Sequence, residues 1–134
     1  VTNFLQDFGL DWRRGRLYVP AEIYQATGAR LDDLDRLKLT SSWCDALAEC
    51  AARTRALFTD GRAVCDGVRG RLKLELRLTW LGGMRILDRL VRTGCDPLAN
   101  RPTLGFVDTA PLLWNALIWS SQSVTASYPV DDKR

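Results

Sequence analysis

Asn3, Asp7 and Asp11 stand four residues apart in the opening stretch V-T-N-F-L-Q-D-F-G-L-D-W. In a helix that spacing stacks the three side chains one turn above another on one side. An amide oxygen and two carboxylates in line form a strip of hard oxygen ligands. Magnesium prefers such oxygens and takes one or two carboxylates, with waters and substrate phosphates completing its shell. Two carboxylates one turn apart also repel each other, and a bound cation removes that repulsion. The plain alternative is a solvated polar face, because Asp at i, i+4 recurs by chance. The flanking residues favour the ligand strip: with Phe4, Phe8, Leu10 and Trp12 beside it, the polar line is narrow and suits a helix facing a pocket.

The elements that must hold this strip all read as helices. Phe4, Leu5, Phe8 and Trp12 share one broad apolar face, so residues 1–12 form a helix. No strong cap precedes it, and the chain reads as a truncated or cleaved piece of a longer protein. Arg13-Arg14-Gly15-Arg16 ends the helix, with glycine at its C-terminus and cations beside the dipole. Pro20 opens a short helix that stops near Gly28, and Asp32, Asp33 and Asp35 begin another helical turn. Thr40 or Ser41 caps a long helix to about Phe58, with Trp43, Leu47, Cys50 or Ala51, Thr54 and Leu57 at helical spacing. Asp60-Gly61 breaks it.

The longest helix covers 68–93. Leu72, Leu76, Trp80, Gly83, Leu87 and Leu90 form its buried stripe, Arg69, Lys73 and Arg77 line another face, and Gly94 stops it. After a loop with Pro97 and Pro102, Asp108 or Thr109 caps a last helix over 110–120, with Pro111 in its first turn, and 128–134 is a frayed tail. No alternating strand pattern persists, so the expected fold class is all-α.

Composition narrows the function. The 134 residues suffice for one domain, and 46% hydrophobic residues can fill a core. The net charge of +3 is too small to argue for a nucleic-acid partner. No window holds the roughly 18 apolar residues of a membrane span, and the expectation is a cytoplasmic protein. The four cysteines, Cys44, Cys50, Cys65 and Cys95, form no C-x-x-C pair, and there is no histidine. Zinc is disfavoured, His-dependent serine and cysteine hydrolases are excluded, and the thiols are expected reduced and mostly buried.

The run T-N-F-L-Q-D-F-G-L-D-W-R-R-G-R-L-Y-V-P resembles the second aspartate-rich region of squalene/phytoene synthases, whose pattern is T-N-x-x-x-D-x-x-x-D followed by G-R-x-Y-x-P. It fixes polar, glycine, aromatic and proline positions together over about twenty residues, and a weaker likeness continues through 72–90 and Arg101-Pro102. The N-F-x-Q-D and L-D-W wording and E-L-R-L-T-W-L-G-G-M-R-I-L are similar to the hydroxysqualene-forming branch of bacterial hopanoid pathways. The resemblance implies the C-terminal helices of a class I isoprenoid synthase bundle. It implies that Asp7 and Asp11, supported by Asn3, hold Mg2+ against the diphosphate of a prenyl substrate. Arg16 and Tyr18 match the G-R-x-Y positions beside the active site, and Arg101 matches an arginine that holds the diphosphate. Gln6 stands where many relatives carry arginine, and Gly83 where several place an active-site aromatic. NADPH use is left open, since no nucleotide-binding glycine motif is present.

The family needs a second acidic motif on an opposed helix. Asp32, Asp33 and Asp35 read better as helix N-terminal charge, so residues 1–134 are expected to be the C-terminal part of one domain, inactive alone. Its uncovered apolar faces imply self-association. Two other readings stand beside the enzyme: a non-catalytic helical adaptor, and a peripheral membrane protein. The latter would use the Arg69, Arg71, Lys73 and Arg77 stripe and the Trp-rich end, where Leu112, Leu113, Trp114, Leu117, Ile118 and Trp119 read first as core.

Overall fold

Trp43 is the centre around which the chain folds. Its ring is fully buried, and its indole N–H donates to the Arg30 carbonyl at 2.8 Å, which satisfies the one polar atom that burial would orphan. Phe8 and Tyr24 set their rings 5.8 and 5.4 Å from it. The computed structural model describes residues 2–119 other than Leu37 and Ala99, and the tail expectation for 128–134 lies outside them. The helices are α1 (Thr2–Gln6), α2 (Phe8–Arg13), α3 (Ala21–Ala26), α4 (Leu31–Asp35), α5 (Ser41–Asp60), α6 (Val64–Gly67), α7 (Gly70–Arg92) and α8 (Phe106–Leu117), with a 3-10 turn at Gly61–Ala63. No strand occurs among the described residues, so the fold class is all-α as expected.

Helix α5 carries Trp43 and buries Ala46, Leu47, Cys50, Ala51 and Thr54 on the same face. Leu5, Phe8, Ile23, Leu34, Leu87 and Leu90 close over that face. Leu57, expected in the stripe, is 63% exposed instead and lines the hollows described below. Thr40 does not cap α5 with its side chain; its hydroxyl turns to the Asp33 carboxylate at 3.5 Å.

Helices α5 and α7 run antiparallel. Arg55 pairs with Asp88 at 2.5 Å, and the Trp80 indole N–H donates to the Phe58 carbonyl at 2.6 Å. This register carries the first turns of α7 past the end of α5, where the short α6 is their neighbour among the described residues. Gly82, Leu87 and Leu90 are therefore buried, whereas Leu72 is exposed and Leu76, Trp80 and Gly83 are half-buried. The expected stripe is real only in its C-terminal half. The basic residues do not form one free stripe either. Arg71 pairs with Glu75 at 2.6 Å, and Arg77 with Asp66 at 3.0 Å.

Helix α8 starts four residues earlier than expected. Asp108 is not its cap but its third residue, where the carboxylate accepts the Gly105 N–H at 2.8 Å, the return half of a capping box. Only Asp108 and Ala116 of this helix are buried, and Trp114, Leu117 and Ile118 beside them are exposed, so the core role expected for these three is not met among the described residues. Cys44, Cys50, Cys65 and Cys95 are free thiols, buried except for the half-buried Cys44, and burial pushes all four up.

Asp108 is the buried charge that joins α8 to α7. Arg89 grips it with two bonds of 2.7 and 2.8 Å, Arg85 adds a longer one of 3.4 Å, and only 3% of the residue is exposed. The Gly105 N–H first, and then Arg89 and Arg85, hold its carboxyl below the ordinary carboxylate range against the opposing effect of burial. A depressed carboxylate stabilises the fold above its unfolded value of about 3.9, and that stability is lost as pH falls through the lower folded value. Asp66, held low by Arg77, acts in the same direction. Asp108→Asn is expected to lower Tm by about 5 °C or more at pH 7, through the unpaired arginines it leaves. The gap to wild type should narrow as pH falls below the unfolded carboxylate value of about 3.9, in thermal melts across pH. A constant gap at every pH would remove the carboxylate's charge from the explanation.

Candidate active site

Helices α1 and α2 are one helix bent at Asp7, whose backbone sits at φ −96 and ψ 10. The i→i+4 ladder continues through the bend: the Asp7 N–H donates to the Asn3 carbonyl at 2.9 Å and the Asp11 N–H to the Asp7 carbonyl at 2.8 Å. Asn3, Asp7 and Asp11 thus keep their expected register, on a bent rather than a straight helix. Gly15 then turns the chain with φ +71, a conformation that costs a side-chain-bearing residue but not glycine. The Arg16 N–H closes the turn onto the Asp11 carbonyl at 2.9 Å. The reversal lays Tyr18 flat on Phe4, with ring centroids 4.2 Å apart and planes 19° from parallel.

Beneath that stacked pair lies an apolar cavity of about 290 Å³, walled by Phe4, Leu5, Phe8, Val19, Ile23 and Leu57, with Asp11, Arg16 and Arg53 as its charged groups. Arg53, which sequence reasoning passed over, is held by Glu49 at 2.7 Å. The polar Thr54 beside it, in an otherwise apolar stripe, was the available signal. Its hydroxyl donates to the Cys50 carbonyl at 2.7 Å, so it sits in the core without an orphaned group.

The other end of the chain closes onto the same helix. A Cβ at Gly9 would stand 2.8 Å from Leu98 Cδ2, so glycine there lets the 97–98 loop press against α2. With the loop so placed, Arg101 forms an ion pair with Asp7, a residue 94 positions away. Asn3 faces a neighbouring hollow of about 350 Å³, with Gln6, Phe58, Thr79, Gly83 and Ile86, and Thr54 and Leu57 are walls common to both spaces. The structure therefore brings Asp11, Arg16 and Tyr18 to one cavity and Arg101 to Asp7, and sets Asn3 at the adjoining hollow. Among the described residues no three Asp, Glu, His or Cys side chains converge.

A family model described as squalene/phytoene synthase matches residues 1–108. The chain belongs to the squalene/phytoene synthase family. It is 32% identical over 119 residues to the phytoene synthase of Thermus thermophilus, covering 88% of this chain and 40% of that protein. It is 32% identical over 130 residues to the hydroxysqualene synthase of Rhodopseudomonas palustris, covering 96% and 43%, and 30% identical over 103 residues to that of Sinorhizobium fredii. The chain spans about two fifths of the length of the first two relatives. No solved structure matches it. The family match contains every position singled out above, from Asn3 to Arg101, and stops within the first turn of α8. Among the described residues no helix is long and apolar enough to cross a membrane.

Proposed function

We propose that this chain supplies one side of the diphosphate-binding site of a transferase acting on farnesyl-type diphosphates. The reaction is squalene-type head-to-head condensation or conversion of presqualene diphosphate to hydroxysqualene. The observation that carries this reading is the meeting of Arg101 with Asp7 one helical turn from Asp11, the residue that lines the apolar cavity. A guanidinium brought across 94 positions onto one of two carboxylates that stand a helical turn apart suits a metal-bound diphosphate.

Asp7 and Asp11, with Asn3 in support, fit magnesium as half of a site: two carboxylates and an amide oxygen, one turn apart, short of a full shell and completed by substrate phosphate. When bound there, the ion supplies positive charge to the departing diphosphate. The bond that breaks joins carbon to the diphosphate oxygen. Its electron pair leaves with the diphosphate, and a carbocation stays on the prenyl chain. Arg101 exchanges the Asp7 carboxylate for phosphate oxygens, which its planar fork can hold with two bonds, and Arg16 adds charge at the cavity mouth. Phe4, Phe8 and Ile23 keep water from the cation until it has reacted. The isolated chain is inactive in this reading, because the opposing acidic helix belongs to a part of the protein outside these residues. NADPH stays an open requirement. The same reading keeps the peripheral membrane contact and the self-association of the isolated chain, both carried by the exposed side chains of Phe106, Trp114 and Leu117.

Replacing Arg101 separates diphosphate binding from chain binding. In the complete protein, Arg101→Ala is expected to weaken a farnesyl thiodiphosphate by about tenfold or more, the scale of a charge-assisted bond, and to leave farnesol binding nearly unchanged. Calorimetric titration reads both. Equal losses for the two ligands would mean that Arg101 acts through packing and not on phosphate.

A further inference from the structure

Arg89 stands where α7, α8 and the loop between them meet. Its Nη2 donates to both carboxylate oxygens of the buried Asp108, at 2.7 and 2.8 Å, and its Nη1 donates to the Thr103 carbonyl. Asp108 answers the charge on Arg89 and also accepts the Gly105 N–H at 2.8 Å. Residues 103 and 105 are therefore tied to α7 through one guanidinium and one carboxylate. Arg101 lies two residues before Thr103, and the buried Pro102 between them has its φ fixed by its own ring. On the other side of Arg101, the Leu98 N–H donates to the Asp96 carboxylate at 3.1 Å and the Asn100 N–H to the Asp96 carbonyl at 3.0 Å. Among the described residues, it is the bond from Arg89 that reaches the backbone between Asn100 and Gly105.

We infer that Arg89 is a positioning residue for the diphosphate site, and that its bond to the Thr103 carbonyl sets Arg101 against Asp7. Arg89 is not a wall of the apolar cavity, and its own bonds go to Asp108 and Thr103, so it acts through Arg101. A guanidinium suits this task because it presents two nitrogens in fixed directions, one for the carboxylate and one for the carbonyl. Asp108 also settles a question of charge. Arg89, Arg92 and Arg101 line one hollow of about 340 Å³, and the carboxylate takes up the charge of Arg89, which leaves Arg101 to Asp7 or to phosphate. This inference rests on the proposed prenyl diphosphate site, and gives the buried ion pair between α7 and α8 a task beyond stability.

The test is a double-substitution cycle in the complete protein, read by calorimetric titration with farnesyl thiodiphosphate in magnesium and with farnesol. Arg89→Lys keeps a cation beside Asp108 and gives up the fixed second nitrogen. It is expected to weaken the thiodiphosphate about three- to tenfold, no more than Arg101→Ala does, and to leave farnesol binding nearly unchanged. Arg89→Met removes both bonds, and should add a lower Tm to the same selective loss. In the Arg101→Ala background, Arg89→Lys should change thiodiphosphate affinity by less than about twofold, because no guanidinium is left at 101 to position. A group that bound phosphate directly would keep its effect there, and a group that only braced the helices would weaken farnesol as well. Thiodiphosphate binding like wild type in Arg89→Lys, an equal loss for farnesol, or a loss that persists in full without Arg101 would each overturn the inference, while Arg101→Ala still reports on the site. Wild-type protein that binds neither ligand would overturn the functional reading itself.

Discussion

Asp11→Asn in the complete protein is expected to cut turnover of a prenyl diphosphate by about 10²- to 10³-fold, the scale of losing one group aimed at developing charge. Asparagine keeps the size of the side chain and removes its charge. The N–H of residue 11 still bonds to the Asp7 carbonyl, so the helix is retained. Loss of activity with an unchanged Tm is the expected pattern. Asp7→Asn is expected to match it in turnover. It also removes the ion pair with Arg101, whose side chain is 54% exposed while that of Asp7 is 18% exposed, and a pair partly in contact with water contributes about 1 kcal/mol. Asp7→Asn should therefore lower Tm slightly and Asp11→Asn leave it unchanged. Steady-state rates with melts of the same preparations check both. Near-normal turnover in either variant would place that carboxylate on a solvated face.

Much of the frame that holds these carboxylates was readable because it depends on neighbours in sequence. The glycines at 15 and 94 stop helices by their own backbone preference, and both adopt positive φ. The Trp43-to-Thr54 stripe follows from α5 having its core partners, Leu5, Phe8, Ile23 and Leu34, within this chain. The stripe on α7 failed in its first half for the complementary reason. Periodicity reports that Leu72 and Leu76 are on an apolar face, but whether that face is covered depends on what packs there, and among the described residues Leu72 stays exposed and Leu76 half-buried.

The charged features show a second limit. Asp108 looked like a helix cap because a carboxylate at a helix start satisfies local N–H groups. It does accept the Gly105 N–H, but its burial comes from Arg85 and Arg89, four residues apart on α7. That convergence exists only once α7 and α8 have crossed. The Asp7–Arg101 pair is the extreme case, with 94 positions between its members and no local pattern to link them. The aspartates were singled out by spacing, and Arg101 only by resemblance to a family motif. The packing of Phe58 on Gly83 was not readable either: a glycine in a helix pattern does not say which ring will occupy the space beside it. The cavity itself was foreshadowed by Phe4, Phe8 and Leu10 beside the acidic strip. Of these, Phe4 and Phe8 line it, and Leu10 does not.

The central claim is that the strip from Asn3 to Asp11 holds magnesium together with a diphosphate, neither well without the other. Calorimetric titration of the complete protein with farnesyl thiodiphosphate, in magnesium and in its absence, tests this most directly. Two carboxylates leave most of the ion's shell to water, and magnesium dehydrates reluctantly, so binding of the ion alone should be weak. Phosphate oxygens complete the shell, and the coupling free energy is expected at about 1–3 kcal/mol, a 5- to 150-fold gain in analogue affinity. Linkage requires the analogue to tighten magnesium by the same factor. Asp7→Asn and Asp11→Asn should each remove most of that gain. Analogue affinity that is identical with and without magnesium would contradict the account, and would leave Asn3, Asp7 and Asp11 as a polar face of a bent helix.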